Sequence, residues 1–234
     1  MQRCDTDDHA AYRRVLERDD EEREALLDAL TINVTGFFRD PDVWADLRPV
    51  LRELSEENGR DGVDVWSAPC ADGREPYSLS MLVADDEEVN ERRFRITAID
   101  ISEEALDAAR AGVYETTRTT DIEEELSPLS DPTAYVEQEE NVFRVRRSVK
   151  SRIEFEQYDL ISDGPRTDMD LVFCRNLLIY IDTAYKERLF ETLRDSLRPG
   201  GGTSCSGRPR RCPPGLRDDF EPVAKRSRIY RYEG

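Results

Sequence analysis

Histidine and lysine are almost missing from this chain. It has one histidine, His9, and of its 34 basic residues only Lys150, Lys186 and Lys225 are lysines. A Ser-His or Cys-His mechanism would have to rest on that single histidine near the start, so nucleophilic catalysis of that kind is set aside. The five cysteines, Cys4, Cys70, Cys174, Cys205 and Cys212, contain no C-x-x-C pair. That disfavours a structural zinc site, and no metal is expected. No apolar run approaches the ~20 residues of a membrane span, and the start carries no signal-peptide pattern. The expectation is a cytoplasmic protein with reduced thiols and no membrane insertion.

Acid is what the chain has in excess. Asp and Glu total 52 against 34 Lys and Arg, a net charge of −18. Such a surface disfavours nucleic acid as a partner, because duplex binding draws on clustered Lys and Arg to neutralise phosphates. It suits a protein kept soluble in concentrated salt, where the Debye length shrinks to about 3 Å at 1 M and self-repulsion fades. A salt-adapted source is expected. At 234 residues the chain has room for one α/β core and a small attachment.

Residues 8–30 are highly charged, with apolar positions at Tyr12, Val15, Leu16, Leu26, Leu27 and Leu30 that predict one or two amphipathic helices broken near Asp19. Asp40-Pro41 reads as a cap followed by proline at the first helical position, opening a helix to about Leu54. The pattern then turns to strand, helix, strand, helix: a strand at 63–66, a helix at 76–84, a strand at 94–99, and a helix capped by Ser102 and ended by Gly112. This βαβα start favours a parallel sheet covered by helices. Residues 113–150 interrupt it, and the alternation V-F-R-V at 142–145 suggests a small antiparallel insertion. Strands at 153–155 and 171–173, a helix at 183–197 and a last strand at 229–232 complete the pattern.

In an open α/β sheet the ligand sits outside the carboxyl ends of the strands. After the first strand comes S-A-P-C-A-D-G-R-E-P at 67–76, where Gly73 lets backbone approach a ligand and Glu75 can meet a cationic group. A plain strand-to-helix loop would look the same. Asp100 ends the second strand, either as an acceptor for two ribose hydroxyls or as a helix cap. Arg175 and Asn176 follow the buried strand ending at Phe173. Such a pair at a sheet edge is costly to desolvate without partners, so either a ligand or an internal network is implied.

Five ordered blocks carry a family resemblance: I-N-V-T-G-F-F-R at 32–39, W-S-A-P-C-A-D-G-R-E-P-Y-S-L at 66–79, A-I-D-I-S at 98–102, A-G-V-Y at 111–114 and F-C-R-N-L-L-I-Y at 173–180. Together they resemble the chemotaxis protein methyltransferases, the CheR family. The resemblance implies an α/β, Rossmann-like S-adenosylmethionine-dependent methyltransferase in which 41–234 form the catalytic domain, 113–150 an inserted antiparallel β-subdomain, and 1–40 a partial N-terminal helical domain. It also implies S-adenosylmethionine as cofactor, S-adenosylhomocysteine as product, methyl-accepting chemotaxis receptors as partners, and a monomer. The activity implied is protein-glutamate O-methylation.

Carried over by position, Asn33, Thr35 and Arg39 match the family's residues near the cofactor, and Glu75 and Asp100 its acidic contacts, with Asp100 at the ribose. Asp159 and Leu160 stand where the family has Asn-Leu beside adenine, and Arg175 and Asn176 match its pair after the fourth block. Arg39 and Tyr180 resemble the residues bordering the transferred methyl. Two departures stand out: Asp159 replaces the usual asparagine, and Pro69 a frequent glycine. A catalytically impaired S-adenosylmethionine-binding signalling module is the alternative. A nucleic-acid N-methyltransferase is disfavoured by the acidic charge and by the missing proline pair in N-L-L-I-Y at 176–180.

Two further expectations concern the sequence itself. The resembled family has a longer helical domain before the N-x-T block, whereas 32 residues precede Asn33 here, so Met1 is expected to be an internal methionine of that domain. The stretch T-S-C-S-G-R-P-R-R-C at 203–212 stands where a parallel sheet needs an apolar strand, and its arginines and proline are expected to bar it from the sheet's centre. A one-base shift converts one possible codon set for those residues into Y-L-V-L-G-K-T-E-T-L, so out-of-frame translation is expected, with the frame recovered near Pro213.

Overall fold

The structure, a computed structural model, describes residues 9–19, 22, 26, 35–57, 61–177, 181, 183–205 and 219–234. Its elements in chain order are α1 (His9–Leu16), α2 (Pro41–Glu56), β1 (Val63–Ser67), α3 (Arg74–Asp85), β2 (Phe94–Asp100), α4 (Glu103–Ala111), β3 (Val113–Glu115), α5 (Ile122–Glu125), β4 (Val136–Glu139), β5 (Val142–Val145), α6 (Arg147–Lys150), β6 (Ile153–Gln157), β7 (Leu171–Phe173), α7 (Thr183–Ser196), β8 (Thr203–Cys205), β9 (Phe220–Ala224) and β10 (Ile229–Tyr232). The main sheet runs β6-β2-β1-β7-β8-β10-β9. Its first five strands are parallel, and β10 and β9 close it antiparallel.

From β1 the chain winds outward to β2 and β6, then returns to place β7 and β8 on β1's other side. The order of winding therefore reverses between β1 and β7, and their carboxyl ends flank the crevice that such a reversal opens. Both strands are buried along their length but for the half-buried Asp64, as expected of parallel strands covered on both faces. The α4 helix starts and stops as its sequence predicts. Ser102 Oγ accepts from Ala105 N, and Gly112 ends it at φ 55°, where a side chain would be strained.

On one sheet face, α2 buries Trp44, Leu47, Leu51 and Leu54 against Val65, Ile96 and Phe173. The same apolar cluster continues into the inserted three-stranded sheet, β3-β5-β4, through Tyr114, Val136, Phe143 and Val145. The insertion thus shares the core instead of hanging from it. On the opposite face α7 contributes Leu189 and Leu193 to a second cluster with Trp66, Ile99 and Val172. Among the described residues no helix is long and apolar enough to cross a membrane.

Two expectations are corrected. Asp40 does not cap α2 with its side chain; it sits at φ 58° with no capping hydrogen bond, and its carboxylate is engaged elsewhere. Residues 203–205 do enter the centre of the sheet, parallel to β7 and antiparallel to β10. Three small residues suffice because the pairing is made by backbone, and a buried Cys205 behaves as a small apolar side chain. Residues 206–212, on which the rest of that expectation fell, lie outside the described residues, as do most of 20–34.

Candidate functional site

The carboxyl edge of the parallel strands gathers most of the residues singled out by sequence. After β1 the backbone is tied to both neighbours, with Ala68 N donating to Phe173 O (2.9 Å) and Cys70 N to Ile99 O (2.7 Å). Gly73, at φ 88°, turns the chain into α3, and a Cβ there would meet Ala109 Cβ at 2.8 Å. That close approach, not a ligand, is what demands glycine in this structure.

Glu75 lies in the first turn of α3 and not before it, in a place where a carboxylate gains from the helix dipole. Burial raises its carboxyl to about 7, against the pull of Arg175 and Arg39. Its Oε2 is 3.6 Å from Arg175 Nη1, while Oε1 is buried and finds no hydrogen-bond partner among the described residues. Ser67 Oγ, at the end of β1, is likewise buried without a partner among them. The sequence reading missed Ser67, whose position directly before the first loop was the available signal.

Asp100 is 3 % exposed, and its carboxylate braces the start of the next helix, one of the two roles its sequence left open. Its Oδ1 accepts from Ser102 N at 3.1 Å, bracing the start of α4. Its Oδ2 accepts from Ala71 N at 2.8 Å, fixing the first loop.

Arg175 is the most deeply set cation of the site, its side chain 1 % exposed. Nη1 donates to Arg39 O (3.0 Å) and Nη2 to Asp40 Oδ2 (2.6 Å). The guanidinium also lies 5.7 Å from the ring centre of Phe173 and 5.8 Å from that of Trp44. An internal network thus holds Arg175, while its Nε is buried without a partner among the described residues. Next to it Asn176 takes φ 60°, with Leu177 N donating back to Arg175 O at 2.8 Å. With its amide oxygen turned toward Arg39, Asn176 Oδ1 accepts from Arg39 Nη1 at 3.1 Å and Nε at 3.3 Å. The side chain of Arg39 is therefore held from β7's end.

The loop before α2 carries Arg39 and is itself strained, since Phe38 and Asp40 both take left-handed φ values, 46° and 58°. Its backbone N–H groups are held from two sides, Phe38 N by Ser78 Oγ and Phe37 N by Glu125 Oε2, each at 2.9 Å. Thr35 lines a cavity of about 550 Å³ between this loop and the 119–128 segment. Asp40, Ser78 and Glu125 escaped sequence reasoning because each works on a partner at least 40 residues away.

Asp159 and Leu160 fall after β6, on the edge shared with Asp100, whose carbonyl accepts from Tyr158 N at 3.0 Å. The Asp159 carboxylate is spent on its own turn, accepting from Ile161 N (2.8 Å) and Ser162 Oγ (2.7 Å). Leu160 is buried in the cluster with Trp66 and Ile99. Asn33 and Tyr180 lie outside the described residues. Among the described residues no group of His, Cys, Asp and Glu could hold a metal ion.

Residues 33–207 match the CheR methyltransferase, SAM binding domain. The chain is 36 % identical over 185 residues to chemotaxis protein methyltransferase 1 of Pseudomonas aeruginosa, covering 76 % of this chain and 66 % of that protein. It is 33 % identical over 178 residues to the chemotaxis protein methyltransferase of Listeria monocytogenes, covering 76 % and 65 %. With that of Salmonella typhimurium it shares 31 % over 205 residues, covering 83 % and 67 %. The matches thus span about two thirds of these relatives' length. S-adenosylmethionine is the cofactor of the matched domain, and the chain belongs to the CheR methyltransferase family.

Proposed function

We propose that this protein transfers the methyl group of S-adenosylmethionine to glutamate side chains of methyl-accepting chemotaxis receptors, forming glutamate methyl esters. The observation that carries the reading is the convergence, where the strand winding reverses, of two acids, Glu75 and Asp100, with a guanidinium, Arg39, held by Asn176. The residues fit the cofactor chemically. The buried, unpartnered Glu75 Oε1 suits an ammonium donor, and the Asp100 carboxylate at the carboxyl end of β2 suits ribose hydroxyls. Thr35, Asn33 and Asn176 belong near the same ligand, with Asp159 and Leu160 toward its adenine.

When bound, S-adenosylmethionine supplies an electrophilic methyl on a sulfonium. The chain has no base to provide, because an acceptor glutamate is already ionised near neutral pH. This accommodates a site with no histidine in it. An acceptor carboxylate aligned with that methyl would need no proton moved, so the task left to the chain's own residues would be alignment. Arg39 orients the carboxylate by a charge-assisted bond while the surrounding walls exclude water. Tyr180 is assigned the opposite wall. Arg175 holds the Arg39 turn in place through Arg39 O and Asp40 Oδ2, and its buried Nε, without a partner among the described residues, remains a donor for the ligand.

Labelled methyl transfer to receptor-containing membranes, with the label released as methanol by mild base, tests the reading. Base-stable label would indicate a different acceptor. S-adenosylmethionine binding with no transfer would indicate a binding module.

A further inference from the structure

Glu125 ends the short helix α5 of the inserted segment, yet its carboxylate reaches the loop that carries Arg39. Its Oε2 accepts from Phe37 N at 2.9 Å and lies 3.9 Å from Arg74 Nη1. Arg74 in turn pairs with Asp72 of the first loop at 2.8 Å. One carboxylate thus joins the insertion, the Arg39 loop and the start of α3. Gly36 leaves it the space, since a Cβ at that position would lie 2.9 Å from Glu125 Oε1.

Core packing does not explain the residue, because the side chain is 25 % exposed and fills no apolar volume. Burial raises its pKa, opposed by the Phe37 N–H and Arg74, and Asp72 and Asp121 raise it further. An acid in this neighbourhood is disfavoured by two other acids, and what holds it are the loop amide and Arg74. The loop it grips is strained at Phe38 and Asp40, a conformation that persists only where neighbours over-determine it. Phe37 also meets Tyr114 of β3 edge-on, ring centres 5.0 Å apart, so the loop leans on the insertion twice.

We propose that Glu125 is a positioning residue for methyl transfer, a latch by which the inserted segment sets the height of Arg39 over the site; this rests on the reading of Arg39 as the acceptor's partner. Its own partners are Phe37 N and Arg74, through which it acts on the loop. The latch predicts a selective defect: the rate of transfer falls while the cofactor contacts of Glu75 and Asp100 stay intact.

The test uses the full chain and the variants Glu125→Ala, Glu125→Gln and Gly36→Ala, with amide hydrogen exchange over residues 36–40, calorimetry with S-adenosylhomocysteine, and kcat and KM on receptor-containing membranes. Glu125→Ala is expected to speed exchange of the loop and lower kcat on the order of 10²-fold, as a misplaced positioning group does. Its S-adenosylhomocysteine affinity should fall much less than kcat, because Asp100 keeps its bonds to Ala71 N and Ser102 N. Glu125→Gln keeps an oxygen for Phe37 N–H and should recover most of kcat. Gly36→Ala, at a backbone angle that alanine tolerates, should displace the carboxylate and resemble Glu125→Ala. Unchanged kcat in Glu125→Ala overturns the proposal. So does a uniform loss of melting temperature, cofactor affinity and kcat that glutamine does not rescue. If the wild-type chain transfers no methyl to receptors, the functional reading falls by itself. Exchange over residues 36–40 then decides the latch, faster exchange in Glu125→Ala supporting it and unchanged exchange overturning it.

Discussion

Arg175 Nη2 donates to Asp40 Oδ2 at 2.6 Å, joining the end of β7 to the turn before α2 across 135 positions of sequence. The arginine is enclosed and the aspartate 41 % exposed, so removing the acid strands a buried cation with only the Arg39 carbonyl and the more distant Glu75 for company. Asp40→Ala should therefore cost about 1–3 kcal/mol. Arg175→Lys should not be conservative, because an ammonium cannot span both acceptors with the planar fork. Denaturant midpoints check both, and an Asp40→Ala variant as stable as wild type would contradict the account.

Glu75 supplies a pH dependence. Its folded carboxyl, raised to about 7 by burial, lies above the roughly 4.3 of an unfolded chain. The ligand-free protein therefore holds the proton more tightly than the unfolded chain does. That contribution is fully present below about pH 4 and lost as the pH rises through about 7, and is on the order of 3 kcal/mol. Glu75→Gln should flatten this part of the stability profile. Cofactor affinity should run the other way in wild type, strengthening as pH rises through about 7, because the proposed ammonium contact needs the ionised acid. Calorimetry across that window is the check, and a Glu75→Gln variant with the wild-type pH profile would remove Glu75 from the site.

Asp100→Asn keeps the shape of the side chain and loses charge and one acceptor. Because Ala71 N and Ser102 N both lean on this carboxylate, the variant should lose some stability as well as cofactor affinity. A tenfold or greater weakening is expected, about 1–3 kcal/mol for leaving polar partners unpaired. Near-normal affinity by calorimetry would withdraw the ribose assignment.

Thr203 occupies the centre of the sheet with Oγ1 buried and without a partner among the described residues. Thr203→Val removes an unpaired hydroxyl at nearly constant volume, so a gain of about 1–2 kcal/mol in denaturant melts is expected. The same orphan hydroxyl accords with an apolar strand in the neighbouring reading frame. Sequencing the locus tests that, and codons that give no apolar strand in any frame would reject it.

The net charge of −18 predicts a stability that depends on salt. Screening should relieve self-repulsion, so the melting temperature should climb as KCl is raised from about 0.1 to 1 M. An equal rise with sucrose at matched osmolality would point to general exclusion instead.

Sequence alone determined the frame of this protein, because the frame is written in local chemistry. Alternation marks β2 and β5, Ser102 and Gly112 bound α4, and an apolar run followed by Arg-Asn marks the end of β7. The five blocks located the family and pointed to Glu75, Asp100, Arg39 and Asn176. What each of those residues does within the protein was settled by partners far along the chain. Asp40 reads as a helix cap in isolation and proves to be the counter-ion of Arg175. Glu125 is the last of three consecutive acids, and nothing local distinguishes it from Glu123 or Glu124 until Phe37 N is seen against its carboxylate. The stretch beginning at Thr203 looks too polar for the sheet, and enters it because strand pairing is decided by backbone neighbours, β7 and β10, and not by its own side chains. Periodicity and caps act over a few residues, whereas hydrogen bonds and ion pairs between distant segments exist only once the sheet has brought them together.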